Sequence, residues 1–125
     1  MKRLALLLAA SLPLVAARAC PLAQPSLQQG GVQARWQLEG PPLAVGRHVV
    51  LRVQLCPADA TLARVDATMP AHRHGMNYRP SIQALGGGQW RVQGVMLHMA
   101  GLWDLQLDVQ ADGRQVSLHD TISLP

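Results

Sequence analysis

Apolar residues recur at every second position through most of this chain, and a period of two favours strands over helices. The alternation is clearest at Val49, Leu51, Val53 and Leu55, where the residues between are mostly polar. Proline and glycine, which are common in turns, separate the runs. Each run therefore predicts a strand that has one face in the core and one face in solvent.

Seven such runs follow one another, and no helical stripe of apolar residues competes with them. This pattern is typical of an all-β, immunoglobulin-like (cupredoxin-like) antiparallel β-sandwich, in which two sheets bury their apolar faces against each other. We expect one domain over residues 32–125, with strands at 32–38, 48–55, 62–68, 81–85, 89–97, 102–109 and 115–124.

The first nineteen residues resemble a cleavable signal peptide. Lys2 and Arg3 precede an apolar run over 4–15, and Ala17 and Ala19 are the small residues expected before a cleavage site. The run is too short to span a bilayer. We therefore expect an exported protein, periplasmic or secreted, that begins at Cys20 with an irregular leader over 20–31.

Removal of the signal peptide changes the charge of the chain. The formal net charge of +4 becomes +1, because eight arginines then face seven acids and no lysine is left. A protein without a basic run lacks the electrostatic signature of nucleic-acid binding. We therefore expect no nucleic-acid partner.

Cys20 and Cys56 are the only cysteines, and a single pair in an oxidising compartment usually forms a disulfide. The alternative is that Cys20, as the first residue of the mature chain, carries a lipid anchor. Arg18 and the lack of a large aliphatic residue three positions before Cys20 argue against that alternative. Metal binding by the two thiolates would require reduced cysteines and is disfavoured.

Methionine and histidine are concentrated in two short segments. The first contains Met69, His72, His74 and Met76, and the second follows about twenty residues later with Met96, His98 and Met99. If antiparallel strands reverse the chain at each turn, the end of strand 62–68 and the end of strand 89–97 lie at the same end of the sandwich. We therefore expect both segments to form one site.

The donor types in these segments indicate copper. Thioether and imidazole ligands without carboxylates select Cu(I), and histidine also allows Cu(II). Zinc more often recruits cysteine or carboxylate, and calcium and magnesium require oxygen ligands. A four-coordinate site cannot use all seven residues, so His72, His74, Met76 and His98 are the first choices. Arg73 and Arg79 would flank the site.

A structural interpretation competes with the copper site. A methionine on an apolar strand is more often core packing than a ligand, and Met96 fits that description. His48 and His119 are interpreted as solvated polar residues. The three tryptophans are expected to pack in the core, since the chain has no phenylalanine and one tyrosine. These tryptophans are Trp36, Trp90 and Trp103. Trp103 follows the second segment and is therefore also placed to shield a metal ion there.

Two further functions remain as alternatives. The same loops, with Tyr78 and Trp103, would suit a binding or assembly module that contacts another envelope protein. Catalysis is disfavoured because Ser117, His119 and Asp120 are too close along one strand to form a triad. We therefore expect no enzymatic activity, although two histidines and an open position would suffice in principle to activate a water on a metal.

The motif Met69-Pro70-x-His72-x-His74-Gly75-Met76, followed by Gly94-Val95-x-x-His98-Met99-x-Gly101-x-Trp103, resembles the YtkA-like family of small exported or membrane-tethered bacterial domains, which is related to FixH. The resemblance covers roughly residues 49–109. It implies an immunoglobulin-type sandwich and, through FixH-type relatives, a link with copper supply to a respiratory oxidase. Those relatives carry a transmembrane anchor, whereas this chain has only the expected signal peptide.

Overall fold

The computed structural model describes residues 20–125, and the expected signal peptide lies outside these residues. The described part of the chain consists of strands and loops without a helix. The nine strands are β1 (Leu27–Gln29), β2 (Val32–Glu39), β3 (His48–Cys56), β4 (Thr61–Met69), β5 (His74–Gly75), β6 (Ser81–Gly86), β7 (Gln89–Met96), β8 (Gly101–Ala111) and β9 (Arg114–Leu124).

The strands form two antiparallel sheets. The first sheet has the order β1-β2-β3-β7-β6 and the second has the order β5-β4-β8-β9. The all-β prediction is confirmed, and all seven expected strands are present with ends shifted by no more than two residues. Contacts between β1 and β9, and between β4 and β6, connect the two sheets along their edges.

Strands β1 and β5 were not expected from the sequence. The segment 20–31 was expected to be irregular, but Leu27 to Gln29 pair with Val32 to Ala34, and the side chain of Leu22 is buried. Both strands are short, and β5 has only two residues. A run of two or three residues is too short to show the alternation from which a strand is predicted.

The core lies between the sheets, where the alternating apolar residues point. Leu51, Val53, Val92, Leu105 and Leu107 are each at most 1% exposed. Burying one such side chain contributes about 1.5–3 kcal/mol. The amphipathic pattern of the sequence therefore determines which face of each strand is inside.

One end of the sandwich, which we call the site end, contains both methionine–histidine segments. Strand β4 ends there at Met69 and its antiparallel neighbour β8 begins there at Gly101, while β3 begins opposite the end of β7 through the pair His48 and Met96. The chain reverses as expected, because β6 runs away from the site end and its antiparallel neighbour β7 returns to it, although β6 and β4 belong to different sheets. The two segments therefore meet at this end.

The opposite end holds the two cysteines. The sulfur atoms of Cys20 and Cys56 lie at disulfide-bonding distance, and their Cα atoms are 5.6 Å apart. Leu22 comes two residues after Cys20, and its N–H donates to Oε1 of Gln33 at 2.8 Å. The cysteine pair therefore connects the start of the described chain to the end of β3.

Candidate functional site

The first methionine–histidine segment folds back on the strand that precedes it. Pro70 has no N–H with which to continue the ladder, and β4 ends at Met69. The N–H groups of His72 and Arg73 both donate to the carbonyl of Met69, at 3.1 and 2.9 Å. Arg73 takes a φ of 53° at this turn. The chain then returns as β5, and His74 lies opposite Met69.

Three histidine rings lie next to one another at the site end. The ring centroids of His72 and His74 are 5.7 Å apart and nearly parallel, and those of His74 and His98 are 5.1 Å apart. His98 comes from the turn between β7 and β8, so the second segment reaches the first one. The expectation that both segments approach each other agrees with these distances.

The rings differ in their access to solvent. His72 is exposed, whereas His74 and His98 are half-buried. The Nδ1 atoms of His74 and His98 are buried and have no hydrogen-bond partner among residues 20–125. Since nearly all buried polar atoms in proteins have a partner, two such atoms on adjacent rings require an explanation.

Trp103 forms the inner wall of this cluster. Its side chain is fully buried, and its ring meets His98 edge-on at 5.3 Å and His74 at 6.2 Å. The indole N–H donates to the carbonyl of Met99 at 2.9 Å. Trp103 therefore contacts both half-buried histidines and fixes the turn that carries one of them. Trp36 and Trp90 are half-buried and pack against the core.

The four methionines occupy different environments. Met69 is 2% exposed and belongs to the core, where its Cε lies 2.7 Å from the place that a Cβ on Gly101 would take. Met76 is half-buried and packs against the core, and its N–H donates to the carbonyl of Ala67 at 3.1 Å. Met99 is 36% exposed. Met96 is half-buried and lies opposite His48 on the neighbouring strand.

Arg73, Arg79 and Tyr78 are the other residues near the first segment that the sequence singled out. Arg73 and Arg79 are exposed, and the ring of Tyr78 lies 5.5 Å from that of His48. A depression of about 310 Å³ is lined by residues 64–66 of β4 and by residues 76–80, and none of the three cluster histidines is among its lining residues.

His119 is exposed to solvent, in agreement with the sequence interpretation, and its Nδ1 also lies 2.8 Å from a carboxylate oxygen of Asp104. Ser117 donates instead to Asp108, at 2.6 Å. Asp120 accepts the indole N–H of Trp36 at 2.8 Å. The three residues considered for a triad therefore have three separate partners.

Sequence reasoning missed the role of Gly101, which it noted only as part of the second motif. Its φ of +128° and the 2.7 Å approach of Met69 leave no room for a side chain. A glycine just before a strand gives no sign of a distant contact, because the contact depends on how β4 and β8 align. The same alignment brings Trp103 beneath the histidines.

The close approach of the rings does not by itself complete a metal site. Within residues 20–125, no group of three or more His, Cys, Asp or Glu side chains is arranged to hold a metal ion. Two histidines would need ligands of another type, and thioether sulfur is the other donor that these two segments provide. The copper interpretation therefore depends on methionine or on a ligand from a partner.

In the part of the chain that the structure describes, no helix is long and apolar enough to cross a membrane. Comparison with protein-family models, with curated proteins and with solved structures finds no match for this chain.

Proposed function

We propose that this protein binds copper, as Cu(I), through His74 and His98, with the exposed His72 and thioether sulfur from the same two segments completing the site, and that it delivers the ion to a partner or sequesters it. The observation that carries the proposal is the pair of buried, unpartnered Nδ1 atoms on His74 and His98, whose rings are 5.1 Å apart. A metal ion would supply the partner that each nitrogen lacks. An unmet buried nitrogen otherwise costs about 1–3 kcal/mol.

The donor types support a soft ion over a hard one. Imidazole accepts several metals, but thioether sulfur favours Cu(I). Of the methionines in the two segments, Met99 is exposed and adjacent to His98 in the chain, and Met76 follows β5, the strand that contains His74. Met69 is a poorer choice than the sequence suggested, because it is 2% exposed and packed against Gly101. We assign Met69 to the core.

The site would have a closed side and an open side. Trp103 closes the inner side, while His72 and Met99 lie at the surface. Exposed ligands are the ones that a partner's ligands can replace first, since replacing them requires no unfolding of the core. We propose that His74 and His98 retain the ion while His72 and Met99 exchange.

Compartment and family fit the same proposal. A disulfide between Cys20 and Cys56 is typical of an oxidising space such as the periplasm. Thioether and neutral imidazole remain ligands there, whereas free thiolates would be oxidised. We propose that the chain belongs with the YtkA-like and FixH-related domains on the strength of its two motifs, and we propose no catalytic role.

The test is a Cu(I) titration of the mature chain in competition with a chromophoric chelator. We expect His74→Ala with His98→Ala to weaken binding about 100-fold or more, because loss of even outer-shell partners of metal ligands costs about 10- to 100-fold. His119→Ala is the matched control, since it removes an exposed histidine that is held by Asp104. It should leave the affinity unchanged.

Two results would remove the proposal. One is a parent protein whose Cu(I) affinity is no tighter than about micromolar. The other is a double variant that folds, by its circular dichroism spectrum and unfolding midpoint, and binds as tightly as the parent. His72→Ala tests the division of the ligands into retaining and exchanging ones. A loss of Cu(I) affinity in this variant, together with slower transfer of the ion to the chelator than in the parent, would support that division.

A second candidate function is a contact surface for another envelope protein. Four large apolar side chains at the site end are 36–59% exposed, and Arg73 and Arg79, which precede and follow Tyr78 in the chain, are exposed as well. The four are Val45, Tyr78, Met99 and Leu102. Exposed apolar groups with a charged margin are typical of interaction sites. Such a surface is also what a copper-delivering protein needs.

A further inference from the structure

Met96 and His48 form a cross-strand pair at the site end that the sequence did not suggest. His48 begins β3, Met96 ends β7, and the two lie directly opposite each other in the ladder. The next pair, Val49 and Val95, is buried at 2% and 1% exposure. Because side chains alternate between faces along a strand, His48 and Met96 share the outer face of the first sheet.

Both side chains are accessible to a small ion. His48 is exposed and Met96 is half-buried. The ring of Tyr78, from the loop between β5 and β6, lies 5.5 Å from the His48 ring at an angle of 53°. Tyr78 therefore restricts where the imidazole of His48 can turn, on the side of the strand that Met96 also occupies.

We propose that His48 and Met96 form a second site for a soft monovalent ion, Cu(I) or Ag(I), on the outer face of the first sheet. Directly opposed residues of antiparallel strands have Cβ atoms about 4.5–5.5 Å apart. Zinc bound between an imidazole nitrogen and a sulfur spans about 4.3 Å, and we take a span of this order for a soft ion between His48 and Met96. Thioether and imidazole are the donors that select Cu(I).

This site is separate from the histidine cluster. Leu97 is fully buried and lies between Met96 and His98 in sequence, and His98 packs against the buried Trp103. Met96 points to the outer face, whereas His74 and His98 line the interior end of the sandwich. One ion cannot be shared between sites on the two faces of one sheet. The proposal also stands independently of the cluster, because it uses neither His74 nor His98.

The proposal assigns Met96 differently from the sequence analysis, which placed it with His98. Residues 96 and 98 share a face only while the chain stays extended. Strand β7 ends at Met96, so the alternation no longer applies at His98. The ladder with β3 then decides the partner of Met96, and that partner is His48.

The experiment is a titration of the mature chain with Ag(I) and with Cu(I), followed by proton–nitrogen NMR of the histidine rings. We expect two ions per parent chain and one ion per chain for His48→Gln with Met96→Leu, and the ring signals of His48 should shift with the second equivalent. The variant His74→Gln with His98→Gln should still bind one ion, now at the outer site. His119→Gln is the control, and it should keep both ions.

The outcomes separate the two proposals. Two ions in the His48→Gln, Met96→Leu variant, or His48 ring signals that do not move, would overturn the outer site. A parent that binds one ion, lost only in the His74→Gln, His98→Gln variant, would also overturn it and leave the histidine cluster standing. A parent that binds one ion, lost only in the His48→Gln, Met96→Leu variant, would support the outer site and remove the proposed function.

Discussion

The indole of Trp103 touches three parts of the histidine cluster at once. It contacts His74 and His98 through its edge and bonds the carbonyl of Met99 through its N–H. We expect Trp103→Phe to lower stability by about 1–3 kcal/mol, because the part-buried hydrogen bond from the indole N–H to the carbonyl of Met99 is lost. We also expect Cu(I) affinity to fall severalfold, since the turn that carries His98 loses its anchor.

Trp36→Phe is the matched control for that substitution. Its indole N–H donates to Asp120 at 2.8 Å, so the variant loses a similar bond in another part of the molecule. Urea unfolding should therefore record a loss in both variants, and chelator competition should record a loss of affinity only in Trp103→Phe. Equal affinities in the two would show that Trp103 does not position the site.

The alignment of β4 and β8 can be tested by adding one carbon atom, the Cβ of alanine, at Gly101. A Cβ at this position would lie 2.7 Å from the Cε of Met69, and the φ of +128° is unfavourable for other residues. We expect Gly101→Ala to cost about 1–3 kcal/mol, as strained backbone and overpacking each do. Gly113→Ala, with φ +69° and open space around it, should incur only the backbone part. A smaller loss at Gly101 than at Gly113, measured by urea unfolding, would contradict the packing argument.

At the scale of the strands, the alternation of apolar residues was sufficient to find seven of the nine. The fold and the meeting of the two segments at one end followed from that alternation and from chain reversal. The sequence could not predict β5, because its two residues pair with β4 only when the turn after Met69 folds the chain back. It could not reveal the partner of Met96 either, since that depends on the ladder between β3 and β7. Local sequence patterns predict the strands, but the alignment between strands decides which histidine and methionine side chains lie next to each other.

The short length of β5 predicts that the amide groups around it exchange quickly with solvent. Outside the β5 ladder itself, the turn and the return strand are held by the donors His72, Arg73 and Met76, in bonds of 2.9–3.1 Å. These bonds lie at an edge, so we expect their amides to exchange with solvent faster than those of Leu105 and Leu107 in β8. Binding of Ag(I) should slow exchange at residues 72–76 because the ion ties His74 to His98. Unchanged exchange on binding would count against a site that includes β5.

At the scale of the molecule, the two ends of the sandwich contain different kinds of residues. Strand β3 runs from His48 at the site end to Cys56 at the other, nine residues or about 26 Å at the usual rise of a strand. The methionine–histidine segments, the exposed apolar side chains and the exposed Arg73 and Arg79 lie at the first end. The second end has the cysteine pair and the buried Leu22. Stability contributed at the cysteine end should therefore have little influence on binding at the site end.

This separation gives the prediction at the largest scale. Cys20 and Cys56 are 36 residues apart, and closing a loop of that size stabilises a folded chain by about 3–4 kcal/mol in the chain-entropy model. We expect Cys20→Ser with Cys56→Ser to lose that amount in urea unfolding, and to bind Cu(I) as tightly as the parent below its unfolding midpoint. A matched loss of affinity would mean that the two ends are coupled through β3. If binding also raised the unfolding midpoint of both proteins equally, the ion would be stabilising the same folded state with and without the disulfide.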